Sequence, residues 1–151
     1  MNHKLFYILF LFALLSCGEN KVVDQAAIDK QKIEDYLEAK QLDALTTTSG
    51  LYYIISEAGT GDKPGAGATV TVTYKGYLLD DRVFDQGDFY TGSLPSLIKG
   101  WQEGIPLIAP GGKIKLIIPS ALGYGNRASG SIPPNSVLVF DVTLHYFSGK
   151  K

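Results

Sequence analysis

Three short segments of the sequence combine aromatic and apolar residues with glycine or proline. They are Leu97-Ile98-Lys99-Gly100-Trp101, which holds the only Trp of the chain, Gly123-Tyr124-Gly125 and Ile132-Pro133-Pro134. This combination indicates a site that works by shape, apolarity and a few hydrogen bonds. The chain has one Cys and two His residues, which argues against a disulfide scaffold, a zinc cluster and a Ser–His–Asp triad. We therefore expect no metal and no cofactor.

Length and composition fit a folded protein of modest size. A chain of 151 residues corresponds to one domain plus an appendage. Its 45% hydrophobic and 19% charged content is ordinary for a soluble domain. The formal net charge of −1 leaves no basic footprint, so we do not expect nucleic-acid binding.

The N-terminus is typical of an export signal. Lys4 precedes an apolar run over residues 5–15, which is shorter than the ~20 residues of a membrane-spanning helix. Leu14-Leu15-Ser16-Cys17 resembles a bacterial lipobox, in which the cysteine becomes the lipidated N-terminus. We predict a signal peptide over residues 1–16 and lipidation at Cys17, which would anchor the chain to a membrane. The alternative is a plain signal peptide followed by an incidental cysteine.

A helix is predicted over residues 22–45, where Ile33 and Leu37 lie four residues apart among outward-facing charges. The run Thr46-Thr47-Thr48-Ser49-Gly50 then favours a turn or linker. Residues 17–50 are thus predicted to be an anchor segment and helix. This helix could serve as a spacer, a dimerisation element or a cap on the domain.

Residues 51–148 are predicted to form the domain itself. Pro95 opens a predicted short helix with Leu97, Trp101 and Ile105 on one face. Val70, Val72 and Tyr74 are predicted to point inward and the intervening threonines outward. Alternating apolar residues predict three strands, and they are Val70, Val72 and Tyr74; Ile114, Leu116 and Ile118; and Leu138, Phe140, Val142, Leu144 and Tyr146. The fold class is therefore α+β, with a twisted antiparallel β-sheet wrapped over one short helix and an extra N-terminal helix.

Six motifs give the chain a specific resemblance. They are Val72-Thr73-Tyr74-Lys75-Gly76, Val83-Phe84-Asp85, Leu97-Ile98-Lys99-Gly100-Trp101, Gly123-Tyr124-Gly125, Ile132-Pro133-Pro134 and Leu138-Val139-Phe140-Asp141-Val142. In this order and spacing, over residues 51–147, the chain resembles the FK506-binding protein (FKBP) family of peptidyl-prolyl cis-trans isomerases. With the lipobox and helix, it resembles small isomerase lipoproteins of Bacteroidetes-type bacteria, some of them associated with gliding motility.

The resemblance implies a pocket with Trp101 as its floor beneath a proline ring. It implies that the Ile98 backbone N–H and the Tyr124 hydroxyl donate to substrate carbonyls. The Asp85 carboxylate would sit beside the reacting amide, so the implied catalytic residues are Asp85, Trp101 and Tyr124. The implied substrate contacts are Tyr74, Phe84, Tyr90, Leu97, Ile98, Trp101, Tyr124, Ile132 and Phe140.

The sequence departs from the family pattern after Asp85. Gln86-Gly87 stands where relatives often have two serines, and the stretch from Asp85 to Leu97 is shorter than in many relatives. Phe89 and Tyr90 are both candidates for the aromatic ring of the pocket rim, and spacing does not decide between them. His145 is expected to be a solvated strand residue without a functional partner.

The function that the resemblance implies is prolyl isomerisation that assists the folding of exported proteins. The alternative is a non-enzymatic module that binds proline-containing segments or acts as a chaperone. Expected partners are X–Pro segments, with FK506- or rapamycin-type macrolides as inhibitors. We expect a monomer in the cell envelope, anchored by lipid to the outer membrane and facing the periplasm.

Overall fold

The computed structural model describes residues 24–149. Within these residues six strands are present, namely β1 Leu45–Thr46, β2 Tyr52–Glu57, β3 Thr69–Leu78, β4 Val83–Ser93, β5 Lys113–Ile118 and β6 Leu138–Ser148. They form one antiparallel sheet in the order β1-β2-β5-β6-β3-β4, which confirms the predicted fold class. The α-helices are α1 Gln25–Lys40 and α2 Lys99–Gly104, and short 3-10 helices cover Leu94–Ser96, Ile105–Leu107 and Ser120–Leu122. Among these helices, none has the length and apolarity to cross a membrane.

Helix α1 covers one face of the sheet, here called the outer face, from which Tyr77, Ile117 and Val139 point toward the helix. The Asp24 side chain caps the first turn by accepting hydrogen bonds from the backbone N–H groups of Ala26 and Ala27. Ile33 and Tyr36 are buried against the outward side chains of β5 and β6. The helix is shorter than predicted because Gln41 takes a left-handed conformation, with φ of 54°, that ends the helical hydrogen bonding.

Helix α2 lies directly on β5 at the inner face of the sheet. A Cβ atom added at Gly100 would come within 2.6 Å of the Ile118 side chain, and one added at Gly104 would clash with Leu116. Glycine at both positions therefore permits this close approach. The prediction of one helix running from Pro95 is wrong, because Leu97 and Ile98 are extended, with ψ of 170° and 150°.

The strand alternation predicted for β3 is interrupted near Thr73. The register of β3 shifts against β4 between Val72 and Tyr74, and against β6 just before Val72. Thr71 was predicted to face outward, but it is buried, and its Oγ1 lies 2.8 Å from Oγ1 of Thr91. This hydrogen bond satisfies the buried hydroxyl, which removes the main cost of placing a threonine there.

The sheet begins ahead of the predicted domain start. Leu45 and Thr46 pair with Tyr53 and Tyr52 of β2, so the last residue of the predicted helix and the first of the predicted linker form a short edge strand. The division at residue 50 stays a prediction. The signal peptide and Cys17 lie outside the described residues.

Candidate active site

An aromatic cavity of about 300 Å³ opens between α2, β3, β4 and β6. Trp101 of α2 is 4% exposed and supplies its floor. The rings of Tyr74 and Phe140 meet the indole nearly at right angles, with ring centroids 5.1 and 5.2 Å away. Edge-to-face contacts of this kind hold each ring in one orientation. The cavity lining consists of Tyr74, Asp85, Tyr90, Ser96, Leu97, Ile98, Trp101, Tyr124 and Phe140.

A glycine in β3 makes room for the aromatic cluster. A Cβ atom at Gly76 would lie 2.6 Å from the rings of both Phe84 and Phe140. These two rings pack on each other with centroids 5.4 Å apart and an interplanar angle of 81°. Phe84 thus supports Phe140 from the side.

The polar groups of the cavity are few. Tyr74 Oη donates a hydrogen bond of 2.8 Å to Asp85 Oδ2. Burial, followed by the contact with Asp85, raises the pKa of the Tyr74 hydroxyl well above its usual value. Tyr74 is therefore a neutral donor that orients the Asp85 carboxylate. Trp101 Nε1 is buried and has no hydrogen-bond acceptor within residues 24–149.

The segment before α2 forms one wall of the cavity. The side chain of Gln102, one turn into the helix, donates from Nε2 to the Leu97 carbonyl at 2.7 Å. Ile98 is the extended N-cap residue of α2, so its backbone N–H precedes the helical hydrogen-bond ladder. The interruption of the predicted helix is what presents this backbone at the cavity.

Phe89 and Tyr90 point to opposite faces of the sheet, as neighbours in a strand do, and the irregular pairing of β4 with β3 at this point bears on which of them faces the cavity. Phe89 has a φ of 52°, an uncommon conformation for a large side chain. Its ring stacks on His145, with centroids 4.3 Å apart, whereas Tyr90 lines the cavity and meets Tyr74 edge-on at 5.8 Å. His145 Nε2 also lies 2.8 Å from Thr73 Oγ1. His145 is thus a half-buried strand residue with two structural partners, more enclosed than the solvated residue that the sequence predicted. That it has no functional role stays a prediction.

Residues 61–145 match the FKBP-type peptidyl-prolyl cis-trans isomerase family. The chain belongs to this family. It is 43% identical over 135 residues to the FKBP-type peptidyl-prolyl cis-trans isomerase FkpA of Escherichia coli (strain K12), which covers 85% of this chain and 50% of that protein. The chain thus spans about half the length of the curated relatives it matches.

Solved structures of the family share this fold. The crystal structure of FkpA from Escherichia coli superposes with a TM-score of 0.73 at 42% identity, covering 82% of this chain and 61% of that chain. The crystal structure of a peptidyl-prolyl cis-trans isomerase from Pseudomonas syringae pv. tomato gives a TM-score of 0.72 at 29% identity, with coverage of 82% and 96%. The predicted FKBP resemblance is confirmed. The narrower resemblance to Bacteroidetes lipoproteins stays a prediction.

The aromatic cavity brings together most of the residues predicted to line the substrate pocket. All three predicted catalytic residues and most predicted contacts line it, namely Tyr74, Asp85, Tyr90, Leu97, Ile98, Trp101, Tyr124 and Phe140. Phe84 lies behind Phe140 rather than in the lining. Ile132 is 5% exposed and packs into the core, and its backbone exchanges two hydrogen bonds with Ser129. Ser96 was missed, since nothing in its sequence neighbourhood distinguishes it from a turn residue.

A larger cavity of about 730 Å³ lies on the outer face of the sheet. Its lining includes many charged and polar side chains of the strands, among them Lys75, Lys115 and Asp141. It lacks an aromatic floor. Within the described part of the chain, no group of three or more His, Cys, Asp or Glu side chains is placed to hold a metal ion. The aromatic cavity is therefore the candidate active site.

Proposed function

We propose that this domain catalyses the cis-trans isomerisation of X–Pro peptide bonds. The observation that supports this most directly is the cavity floored by the buried Trp101 and edged by Tyr74 and Phe140. Amide resonance gives rotation a barrier of about 18–20 kcal/mol, and uncatalysed X–Pro isomerisation takes tens to hundreds of seconds. The twisted transition state has lost resonance and charge separation, so water stabilises it less than the planar amide. An apolar cavity that excludes water and fits the twisted bond lowers the barrier.

The cavity residues suit this reaction without any covalent step. The proline ring would lie on the Trp101 indole, between the rings of Tyr74 and Phe140. The Ile98 backbone N–H and the Tyr124 hydroxyl would donate to carbonyls on either side of the proline. The Asp85 carboxylate, oriented by Tyr74, would face the rotating amide. Each contact can strengthen as the bond twists, which is the requirement for catalysis.

The activity is tested with the chain lacking residues 1–17 and an X–Pro peptide followed by exchange NMR. We expect faster cis-trans exchange and blockade by FK506 or rapamycin. Leu45→Ala alters an exposed residue of β1, at the opposite edge of the sheet from β4, and this variant should keep full activity. Peptide binding without faster exchange would favour the alternative of a binding module. If the protein neither binds the peptide nor accelerates its exchange, the proposal is overturned.

We also propose that the protein is a lipid-anchored monomer at the outer membrane that acts on exported proteins in the periplasm. The support is the lipobox-like sequence ending at Cys17 and the signal-like run before it. Cells fed an alkyne-bearing fatty acid should label the protein, and Cys17→Ala should abolish labelling. Fractionation and protease access in intact cells report the membrane and its face. Labelling that survives in the variant would contradict the lipid anchor.

A further inference from the structure

Asp29 of helix α1 is buried far more deeply than an ordinary surface carboxylate. It is 1% exposed, and it lies on the helix that caps the outer face of the sheet. Its Oδ1 accepts from Gln25 Nε2 at 2.7 Å, and its Oδ2 accepts from the Ser120 backbone N–H at 2.7 Å. Acidic side chains are rarely buried in this way without a specific partner. The bond to Ser120 joins two segments 91 residues apart in sequence.

Ser120 also anchors the loop over Gly123-Tyr124-Gly125, here called the Tyr124 loop. Its carbonyl accepts hydrogen bonds from the N–H groups of Gly123 at 3.0 Å and Gly125 at 2.8 Å. These two glycines flank Tyr124, whose side chain lines the cavity. Ser120 thus donates its N–H to Asp29 and, through its carbonyl, accepts from both neighbours of Tyr124.

The Tyr124 loop depends on such an anchor. Ser120 is the first residue of a 3-10 helix of three residues, whose first N–H has no acceptor within the helix itself. Glycine on each side of Tyr124 leaves the backbone many conformations when it is not held. On its far side the loop is held by the Asn135 N–H, which donates to the Gly125 carbonyl at 2.8 Å.

We infer that Asp29 is a positioning residue for Tyr124, acting through the Ser120 peptide. Helix α1 is then part of the substrate-binding apparatus, although it lies on the opposite side of the sheet from Trp101. This inference rests on the proposed isomerase function for its kinetic consequence. Its structural consequence, an ordered Tyr124 loop, can be measured independently.

The kinetic test compares Asp29→Ala with Asp29→Asn in the mature full-length chain. The alanine removes the acceptor for the Ser120 N–H, and we expect kcat/KM for an X–Pro peptide to fall about 3- to 10-fold, the worth of one hydrogen bond. The asparagine keeps a carbonyl oxygen and should retain most of the activity. Because Asp29 acts through Tyr124, Asp29→Ala combined with Tyr124→Phe should be no slower than Tyr124→Phe alone.

Asp35→Ala is the matched control. Asp35 lies on the same helix and accepts from Gln31 Nε2 at 2.8 Å, the same four-residue spacing as Gln25 and Asp29, but it is exposed. Its kcat/KM should equal that of the wild type. Ile33→Val trims a buried apolar contact of α1 and keeps both hydrogen bonds of Asp29, and so shows what a loss of stability alone does to kcat/KM.

The structural test is amide hydrogen exchange followed by NMR. Asp29→Ala should speed exchange at Gly123 and Gly125 and leave the core amide of Val72 unchanged. If Asp29→Ala fails to fold, Gln25→Ala removes the donor that steadies the carboxylate and should give a smaller effect of the same pattern. Wild-type protein without isomerase activity would overturn the proposed function, while the exchange data would still judge Asp29. Unchanged exchange at both glycines, or kinetic losses that add fully to those of Tyr124→Phe, would overturn the inference.

Discussion

The Tyr74 hydroxyl donates to Asp85 Oδ2 across 2.8 Å at the edge of the aromatic cavity. The Tyr74 ring also meets the indole of Trp101. One side chain therefore joins the apolar floor to the one carboxylate that residues 24–149 contribute to the cavity lining. Phenylalanine at this position would keep the ring and lose the donor, so the two contributions can be separated.

Tyr74→Phe should lower kcat/KM for X–Pro peptides by about 3- to 10-fold, since Asp85 loses the donor that orients it. Macrolide affinity that depends on the apolar floor should change much less. Tyr146→Phe removes the hydroxyl of an exposed tyrosine in the same sheet and serves as the control. Equal kcat/KM for wild type and Tyr74→Phe would show that Asp85 needs no such orientation.

The stability of the fold should decline in alkaline solution. Burial raises the pKa of Tyr74, and burial together with Asp141 raises that of Tyr77, above the usual value of 10.0. Above that pH the unfolded chain releases these protons more readily than the folded protein does. The free energy of unfolding should therefore hold below about pH 10 and fall as the pH rises beyond it.

Denaturant unfolding between about pH 8 and pH 11 checks this alkaline decline. The double variant Tyr74→Phe/Tyr77→Phe should lose less stability over the upper part of that range than the wild type. If the free energy of unfolding falls equally with pH in the wild type and the double variant, the decline is due to titratable groups other than Tyr74 and Tyr77. Tyr146→Phe is again the matched control, because Tyr146 is 58% exposed.

Trp101→Phe tests the buried indole. A large-to-small change in a core costs about 3–5 kcal/mol when an aromatic ring is truncated to alanine. Phenylalanine keeps much of the packing and removes an N–H that is buried without an acceptor in the described chain. The free energy of unfolding should therefore fall by about 1–2 kcal/mol or less, as measured by urea denaturation. A loss as large as that of Trp101→Ala would show that the indole packing outweighs the unpaired donor.

Most of the cavity lining could be predicted from the sequence motifs, but spacing alone did not identify the aromatic residue of its rim. Trp101 and Phe140 lie in compact motifs within α2 and β6, whereas Tyr124 is marked by the glycines on either side of it. Phe89 and Tyr90 are adjacent aromatic residues, and a shift of one position in a strand exchanges its two faces. The position of that shift is set by the irregular pairing of β4 with β3 and by the stacking of Phe89 on His145 of β6, which is distant in sequence. The burial of Asp29 depends in the same way on a contact with Ser120, for which no local pattern exists.

Phe89→Ala tests whether the stacked pair on the outer face keeps Tyr90 in the cavity. The Phe89 ring lies on His145, and its backbone N–H donates to Thr73 Oγ1 at 3.4 Å. Without the ring, the left-handed conformation of residue 89 loses a contact that offsets its strain, which is of order 1–3 kcal/mol. The register shift of β4 against Val72 and Tyr74 is a β-bulge at this position, and such bulges redirect neighbouring side chains, so Tyr90 should become mobile. We expect a two- to threefold rise in KM with little change in kcat, and loss of the fixed Tyr90 ring signals in NMR. Val83→Ala trims an exposed side chain of the same strand and should change neither KM nor the Tyr90 ring signals. Unaltered Tyr90 signals in Phe89→Ala would mean that the strand pairing alone holds Tyr90 at the rim of the cavity.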